Sequence, residues 1–179
     1  RGNIENLAFA YNIVKNLKSM KINDKTIIKA LNKFTGLSHR QETVISNKKV
    51  LCINDSKATS FDASLQALLN YDNIYWIVGG HPKYQDHFKL QDVKKKIIKT
   101  YIIGKSTNFF VKNIINKTSY KISKNLDNAV NDIFRDIKLD NRPRSTILLS
   151  PAAASFDQFD NFEERGSYFK KLIIKKFKK

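Results

Sequence analysis

Ile74-Tyr75-Trp76-Ile77-Val78 runs directly into Gly79-Gly80, and this stretch decides the fold. The residues before the glycines are all aliphatic or aromatic, so they lack the alternation of apolar and polar residues that marks a strand with one solvated face. A run of this kind is typical of a strand buried on both faces, and the two glycines end it. Such strands occur in parallel sheets that helices cover on both sides.

Strand-like and helix-like segments alternate on both sides of this strand. Before it, a hairpin-like pair at 42–46 and 49–54 precedes a helix that Ser60 is placed to cap. After it, the pattern predicts a helix near 90–98, a strand at 100–103, a helix near 106–115, a weak strand at 119–122, a helix at 125–136, a strand at 146–149 and a final helix from about Glu163. This alternation indicates an α/β fold, a Rossmann-like, mostly parallel sheet of about six strands with flanking helices.

Residues 1–36 have a purely helical pattern. Asn3 is placed to cap one amphipathic helix, Asn23 is placed to cap a second, and Gly36 supplies a stop and a hinge. We therefore expect a boundary at this glycine, with a helical segment at 1–36 and the α/β domain at 37–179.

The charge balance is strongly basic, with 33 Lys and Arg against 16 Asp and Glu, a net of +17. A basic nucleic-acid-binding module is therefore an alternative function. The lysines are scattered among Ile and Asn, however, and the aromatics lie in predicted core strands and the last loop rather than in an exposed stacking stripe. We expect no nucleic-acid partner, and the positive charge suits small acidic substrates equally well.

The sequence favours neither a disulfide framework, nor a metal site, nor a membrane segment. Cys52 is the only cysteine, so neither a disulfide framework nor a cysteine-based zinc site is expected, and its apolar neighbours place it in the core. His39, His81 and His87 lack a repeated ligand spacing, so no metal site is predicted. No apolar stretch approaches the roughly 20 residues that span a bilayer, which favours a cytoplasmic protein without a membrane partner.

In parallel α/β sheets ligands bind beyond the carboxyl ends of the strands. The first loop in such a position, 55–59, has a carboxylate at Asp55, an ammonium at Lys57 and a hydroxyl at Thr59, all just before a helix N-terminus. Together they can form an anion site, and the carboxylate could accept from a sugar hydroxyl or an amine. A purely local role of Asp55 and Thr59 in capping the turn and the helix fits this pattern equally well.

Two more loops follow buried strands. The glycines at 79–80 let the backbone approach a ligand, and Lys83 adds a second cation; two lysines suggest a substrate with more than one carboxylate, although Lys83 could be an ordinary solvated lysine. The small residues at 150–155 leave backbone amides and the Ser155 hydroxyl accessible, as in a nest for a carboxylate. Phe156, Phe159 and Phe162 could wall that pocket or simply pack the last helix.

Gly104-Lys105-Ser106-Thr107 follows a predicted strand and precedes a helix, as the end of a phosphate-binding P-loop does. The P-loop pattern also requires a glycine five residues before Gly104, where this chain has Lys99. A nucleotide site at this loop is therefore not expected.

Four blocks carry a family resemblance. They are Phe34-Thr35-Gly36-Leu37-Ser38-His39-Arg40, Asn54-Asp55-Ser56-Lys57-Ala58-Thr59, Gly79-Gly80 and Ser150-Pro151-Ala152-Ala153-Ala154-Ser155-Phe156-Asp157-Gln158-Phe159-Asp160-Asn161-Phe162-Glu163-Glu164-Arg165-Gly166. In this order they resemble the C-terminal portion of the MurD-type Mur ligases, the UDP-N-acetylmuramoyl-L-alanine:D-glutamate ligases. The domain of another Mur-type or folylpolyglutamate ligase, with a different amino acid, is the alternative within this group.

The resemblance implies part of a three-domain, ADP-forming ligase that is monomeric and takes part in peptidoglycan synthesis. It implies D-glutamate, ATP and UDP-N-acetylmuramoyl-L-alanine as substrates, with Mg²⁺ held mainly by a central domain that this chain lacks, so the chain alone would be inactive. Residues 1–36 look like the last helices of that central ATPase domain and the hinge. The residues that look like ATP contacts are Asn3, Asn6, Arg40 and Asp55, and those that look like the D-glutamate pocket are Lys57, Thr59, Lys83, Ser155, Phe156 and Phe162.

Overall fold

A computed structural model describes residues 2–17, 22–34 and 36–178, with the side chains of residues 2–5 left out. The chain divides into two compact units, Arg1–Gly36 and Leu37–Lys179. The first unit contains helix α1 (Gly2–Asn16) and helix α2 (Asp24–Lys33).

The two expected caps of the first unit have different outcomes. Asn23 caps α2 as predicted, because its side-chain oxygen accepts a hydrogen bond from the Thr26 amide at 2.9 Å. The cap predicted at Asn3 is wrong, because α1 already begins at Gly2 and residue 3 therefore lies inside its first turn. The Asn3 side chain lies outside the described residues.

The second unit is built on one six-stranded sheet. Its strands are β1 (Glu42–Ser46), β2 (Val50–Asn54), β3 (Ile74–Gly79), β4 (Ile97–Ile103), β5 (Tyr120–Lys124) and β6 (Ser145–Leu149). Their order across the sheet is β1-β2-β6-β3-β4-β5, and only β1 runs antiparallel to its neighbour. This confirms the predicted fold class, a mostly parallel α/β sheet.

Four α-helices cover the sheet on both faces. They are α3 (Phe61–Asn70), α4 (Thr107–Ile114), α5 (Leu126–Lys138) and α6 (Phe162–Phe177). Trp76 and Val78 of β3 belong to the core that contains α3 and α4, and Tyr75 and Ile77 belong to the core that contains α5 and α6. The central strand is therefore buried on both faces, as its unbroken apolar sequence predicts.

Two local predictions near the sheet also have clear outcomes. Cys52 is fully buried, as expected, and burial raises the pKa of its thiol to about 12. The helix predicted near 90–98 is wrong: only a 3₁₀ turn at Lys94–Lys96 forms there, and β4 starts at Ile97. The apolar spacing that suggested a helix has another cause. Leu90 and Val93 lie in an irregular segment and their side chains enter the core, whereas Ile97 belongs to β4 and pairs with Ile74 of β3.

Gly166 of α6 lies where the helix packs against the start of the second unit. A Cβ atom at this position would overlap Nδ1 of His39 and would lie 3.0 Å from Oδ1 of Asn54. The His39 ring is buried, and its Nδ1 is 3.0 Å from the Asn54 side-chain nitrogen, so the ring has little room to move. Only glycine fits this approach of helix and loop.

We predict that Gly166→Ala destabilises the protein, although alanine normally stabilises a helix relative to glycine by about 1 kcal/mol. Overpacking against His39 should lower the free energy of unfolding by about 1–3 kcal/mol, measured by urea denaturation. Ser167→Ala, at the exposed next position of the same helix, is the matched control and should change stability by no more than about 0.5 kcal/mol. A more stable Gly166→Ala variant would contradict the close packing.

Candidate functional site

The loops that follow β2, β6 and β3 lie side by side at the carboxyl edge of the sheet. Strand β6 pairs in parallel with both of the others, so its loop stands between their loops. These are the three loops in which the sequence predicts ligand-binding residues. The topology therefore brings them to one edge of the second unit, although they are far apart in the chain.

Backbone hydrogen bonds join the three loops. The Asp55 amide after β2 donates to the Leu149 carbonyl at 2.8 Å, and the Gly79 amide donates to the Pro151 carbonyl at 2.9 Å. His81 and Ala154 exchange a pair of hydrogen bonds of 2.8 and 3.0 Å, which forms an isolated bridge between the loops after β3 and β6. These hydrogen bonds fix the positions of the three loop backbones relative to one another where the loops leave the strands.

A buried arginine, Arg165 of α6, forms hydrogen bonds with the loops after β2 and β6. Its Nε donates to the Ser56 hydroxyl at 3.0 Å, and its Nη2 donates to the carbonyls of Ser56 at 2.8 Å and Ala153 at 3.0 Å. Only 1% of the residue is exposed, and burial lowers the pKa of the guanidinium to about 10. One side chain therefore connects the loop after β2 with the loop after β6.

Arg165 is not among the site residues predicted from the sequence. The signal was its spacing: Arg165, Phe169 and Ile173 recur every four residues, which places them on one face of α6, and the last two are core residues. An arginine on an otherwise apolar helical face indicates a buried cation with hydrogen-bond partners.

Asp55 is buried and uses both carboxylate oxygens. Oδ1 accepts from the Gln41 amide at 3.2 Å, and Oδ2 accepts from the Ser150 hydroxyl at 2.8 Å. Burial raises the pKa of the carboxyl group from 3.8 to about 6, against the opposing effect of these hydrogen bonds and of Arg40. Asp55 thus joins the segment before β1 to the loop after β6, and it is partly protonated at mildly acidic pH.

Lys57 has the most distinctive contact of the loop after β2. Its ammonium lies over the ring of Phe162, with Nζ 3.7 Å from the ring centroid. The Lys57 amide donates to the His39 carbonyl at 3.0 Å, so the backbone is anchored as well. Thr59 is partly buried two residues further along. Lys57 and Phe162, both predicted site residues, are thus brought into contact.

The loop after β6 differs in part from what its small residues predict. The predicted accessible hydroxyl at Ser155 is wrong, because this residue is only 2% exposed. The amides of Gln158 and Phe159 both donate to its carbonyl. Phe156 is 73% exposed. Phe159 packs against Tyr168 of α6, which is the packing role foreseen for one of the aromatics.

The remaining predicted residues lie near this edge or elsewhere. Lys83 is exposed two residues after His81, the residue that bridges to Ala154. The Lys83 carbonyl accepts from the Asp86 amide at 2.9 Å. Arg40 is exposed beside Gln41, whose amide reaches Asp55. Asn6 is exposed on α1, in the first unit.

The P-loop-like segment lies at a strand-to-helix junction of the same edge. Gly104 follows β4 with a φ of +83°, and α4 starts at Thr107. The Lys105 amide donates to the Asp157 carboxylate at 2.9 Å. At least this amide is therefore already engaged by an acidic side chain rather than left for a phosphate.

The described residues contain neither a cluster of metal-ligating side chains nor a helix suited to cross a membrane. No three His, Cys, Asp or Glu side chains in this part of the chain gather closely enough to hold a metal ion. None of the described helices combines the length and the apolar character needed to cross a membrane.

We predict that Asp55 makes stability fall as the pH rises. A carboxyl group with a pKa near 6 when folded and near 3.8 when unfolded holds its proton more tightly in the folded state, so its stabilising effect is complete below about pH 4 and is lost as the pH passes 6. Relative to Asp55→Asn, the free energy of unfolding should decrease by about 2 kcal/mol between pH 4 and pH 7. Urea denaturation at several pH values measures this difference, and an NMR titration of the Asp55 carboxyl carbon with a midpoint near 4 would contradict it.

The chain is similar in sequence to curated ligases that share one name. The chain is 42% identical to the UDP-N-acetylmuramoylalanine–D-glutamate ligase of Wolbachia sp. subsp. Brugia malayi (strain TRS) over 173 residues, which are 97% of this chain and 34% of that protein. It is 41% identical to the enzyme of the same name from Rhizobium meliloti (strain 1021) over 148 residues, 83% of this chain and 32% of that protein. The chain spans about a third of the length of these curated relatives.

Solved structures support the fold. MurF from Acinetobacter baumannii superposes with a TM-score of 0.66 at 17% identity, over 99% of this chain and 37% of that one. A bifunctional folylpolyglutamate synthase/dihydrofolate synthase from Yersinia pestis gives 0.53 at 13% identity, over 86% and 35%. At such identities the likeness shows the fold alone, and no protein-family model matches the chain. The sequence matches, in contrast, show that this chain belongs to the UDP-N-acetylmuramoylalanine–D-glutamate ligase family of Mur ligases and corresponds to a C-terminal part of its members.

Proposed function

We propose that this chain is the C-terminal part of an ATP-dependent ligase that adds D-glutamate to UDP-N-acetylmuramoyl-L-alanine. The observation that carries the proposal is the Lys57 ammonium, which stands at the carboxyl edge of the sheet and has no salt bridge to any described residue. A half-buried cation without a carboxylate partner is suited to bind an anionic ligand. The names of the relatives supply the identity of that ligand.

D-glutamate carries two carboxylates, and the edge of the sheet offers two lysines on separate loops. Lys57 and Lys83 would each bind one carboxylate, and the hydroxyls of Thr59 and Ser155 would donate to the same oxygens. Because Ser155 is buried, its hydroxyl would have to become accessible for this contact. Phe156, which is largely exposed, would cover the bound amino acid.

For ATP, the proposed contacts are Asn3, Asn6, Arg40 and Asp55. Both carboxylate oxygens of Asp55 already accept hydrogen bonds within the protein. A ribose hydroxyl would therefore have to share one of these oxygens or replace its present donor. The family implies Mg²⁺ as well, but the acidic and histidine side chains described here do not gather into a metal site, and no step is assigned to the ion in this chain.

The rest of the proposal concerns the longer protein. Residues 1–36 would be the end of a central ATPase domain, which would phosphorylate the carboxylate of the UDP-linked substrate. The amine of D-glutamate would then displace the phosphate, while Lys57 and Lys83 hold and orient the amino acid. The isolated chain would bind D-glutamate but not turn over, and the whole enzyme would be a cytoplasmic monomer.

We predict stereospecific binding of glutamate to the isolated chain. In a heteronuclear NMR titration, D-glutamate should shift the amides of Lys57, Lys83 and Ser155 far more than L-glutamate does. When both carboxylates are bound at the two lysines, the α-amines of the two enantiomers point in different directions, and the surrounding loops can accept only one of them. Equal shifts with the two enantiomers, or larger shifts with another diacid or with RNA, would contradict the proposal.

We also predict that Lys57→Ala weakens binding of D-glutamate by about 1.5–3 kcal/mol, the usual contribution of a charge-assisted hydrogen bond. The apparent dissociation constant from the same titration gives this value. Lys48→Ala, in the turn between β1 and β2, removes an equal charge from an exposed position and should leave the constant unchanged. Equal weakening by both variants would show a nonspecific charge effect instead.

A further inference from the structure

The contact between Lys57 and Phe162 is much closer than the other cation–aromatic contacts of the described residues. Nζ lies 3.7 Å from the ring centroid, whereas the other three contacts span 5.4 to 5.8 Å. Cation–π attraction extends to about 6 Å and strengthens as the pair loses water. Both residues are partly buried, so this pair is in the favourable range of distance and solvation.

The backbones on both sides of the contact are held in place. The Ser56 hydroxyl donates to the Phe162 carbonyl at 2.8 Å, which ties the first residue of α6 to the residue before Lys57. The Lys57 amide donates to the His39 carbonyl at 3.0 Å. The His39 ring also meets the Phe162 ring edge-on, with centroids 6.1 Å apart. The aromatic face is therefore presented to the ammonium in one orientation.

An aromatic ring and a carboxylate would hold a lysine with different consequences. A carboxylate would neutralise the ammonium and compete with an anionic ligand for it. A ring attracts the cation through its quadrupole but carries no net charge, so the ammonium keeps its full charge and its donors on the side away from the ring. Lys57 has no salt bridge among the described residues, so its ammonium is held by the Phe162 ring rather than by a carboxylate.

We infer that Phe162 is a positioning residue for carboxylate binding: its ring holds the Lys57 ammonium in place before the ligand arrives and leaves its charge free to pair with one carboxylate of the acceptor amino acid. This inference rests on the proposed function for the identity of the ligand. It assigns the aromatic side chain a role through Lys57 rather than through direct contact with the substrate. Preorganisation of this kind lowers the entropy that a flexible lysine loses on binding.

Three variants of the 179-residue chain test the inference. Phe162→Leu removes the aromatic face but keeps an apolar side chain, and Phe162→Tyr keeps the face. Phe159→Leu is the matched control, since Phe159 lies in the loop just before α6 and packs against Tyr168 rather than under a cation. Thermal unfolding of each variant establishes that the chain is folded before binding is measured.

The first measurement needs no ligand. A ring 3.7 Å from Nζ should shift the Lys57 side-chain ε-methylene proton resonances upfield, and this shift should persist in Phe162→Tyr and Phe159→Leu and vanish in Phe162→Leu. Methylene resonances at ordinary lysine positions in the unmodified chain would overturn the inference, whatever the ligand is.

The second measurement is an NMR titration with D-glutamate up to its solubility limit. Phe162→Leu should weaken binding about three- to tenfold, the range expected for a partly solvated cation–π pair, whereas Phe162→Tyr and Phe159→Leu should stay within about twofold. Equal affinity of the unmodified chain and Phe162→Leu would overturn the positioning role alone. Absence of any response to D-glutamate in the unmodified chain, with the upfield shift present, would overturn the proposed function and with it the role in carboxylate binding.

Discussion

The candidate site depends on the buried guanidinium of Arg165. A charged group that is 1% exposed is costly unless hydrogen bonds replace its water, and here three bonds to Ser56 and Ala153 do so. The remaining nitrogen of the guanidinium, Nη1, has no hydrogen-bond partner among the described residues. A Cβ atom at residue 80 would lie 3.2 Å from this Nη1 atom. Glycine at position 80 therefore leaves room for the guanidinium.

A second set of bonds connects the segment after Gly36 to the same loops. Gln41 donates to Asp55, the His39 carbonyl accepts from Lys57, and the His39 ring packs against Gly166 and Phe162. Within the second unit, the stretch that carries Arg40 and the loop that carries Lys57 are therefore parts of one bonded structure. Arg40 and Asp55, as proposed ATP contacts, and Lys57, as a proposed glutamate contact, would accordingly keep their relative backbone positions if the unit moved.

Much of the fold could be predicted because its signals are local. Caps at Asn23 and Ser60 mark helix starts, and the unbroken apolar strand at 74–78 indicates burial on both faces. The prediction of a helix near 90–98 was wrong because several spacings of apolar residues are compatible with burial from an irregular segment. Whether Leu90 and Val93 are buried by a helix or by a loop depends on what packs over them, which short-range periodicity does not contain.

The sequence by itself determined the α/β class, the family and the three loops in which a site should be sought, because strand patterns, glycine positions and motif order are all local properties of the chain. Only the tertiary structure decided that Ser155 is buried, that Asp55 is buried with a raised pKa, and that the Lys57 ammonium lies over the Phe162 ring. The contacts of Asp55 and Lys57 join residues about a hundred positions apart in the chain. The strand order β2-β6-β3 sets these neighbours, and strand order is a property of the whole sheet.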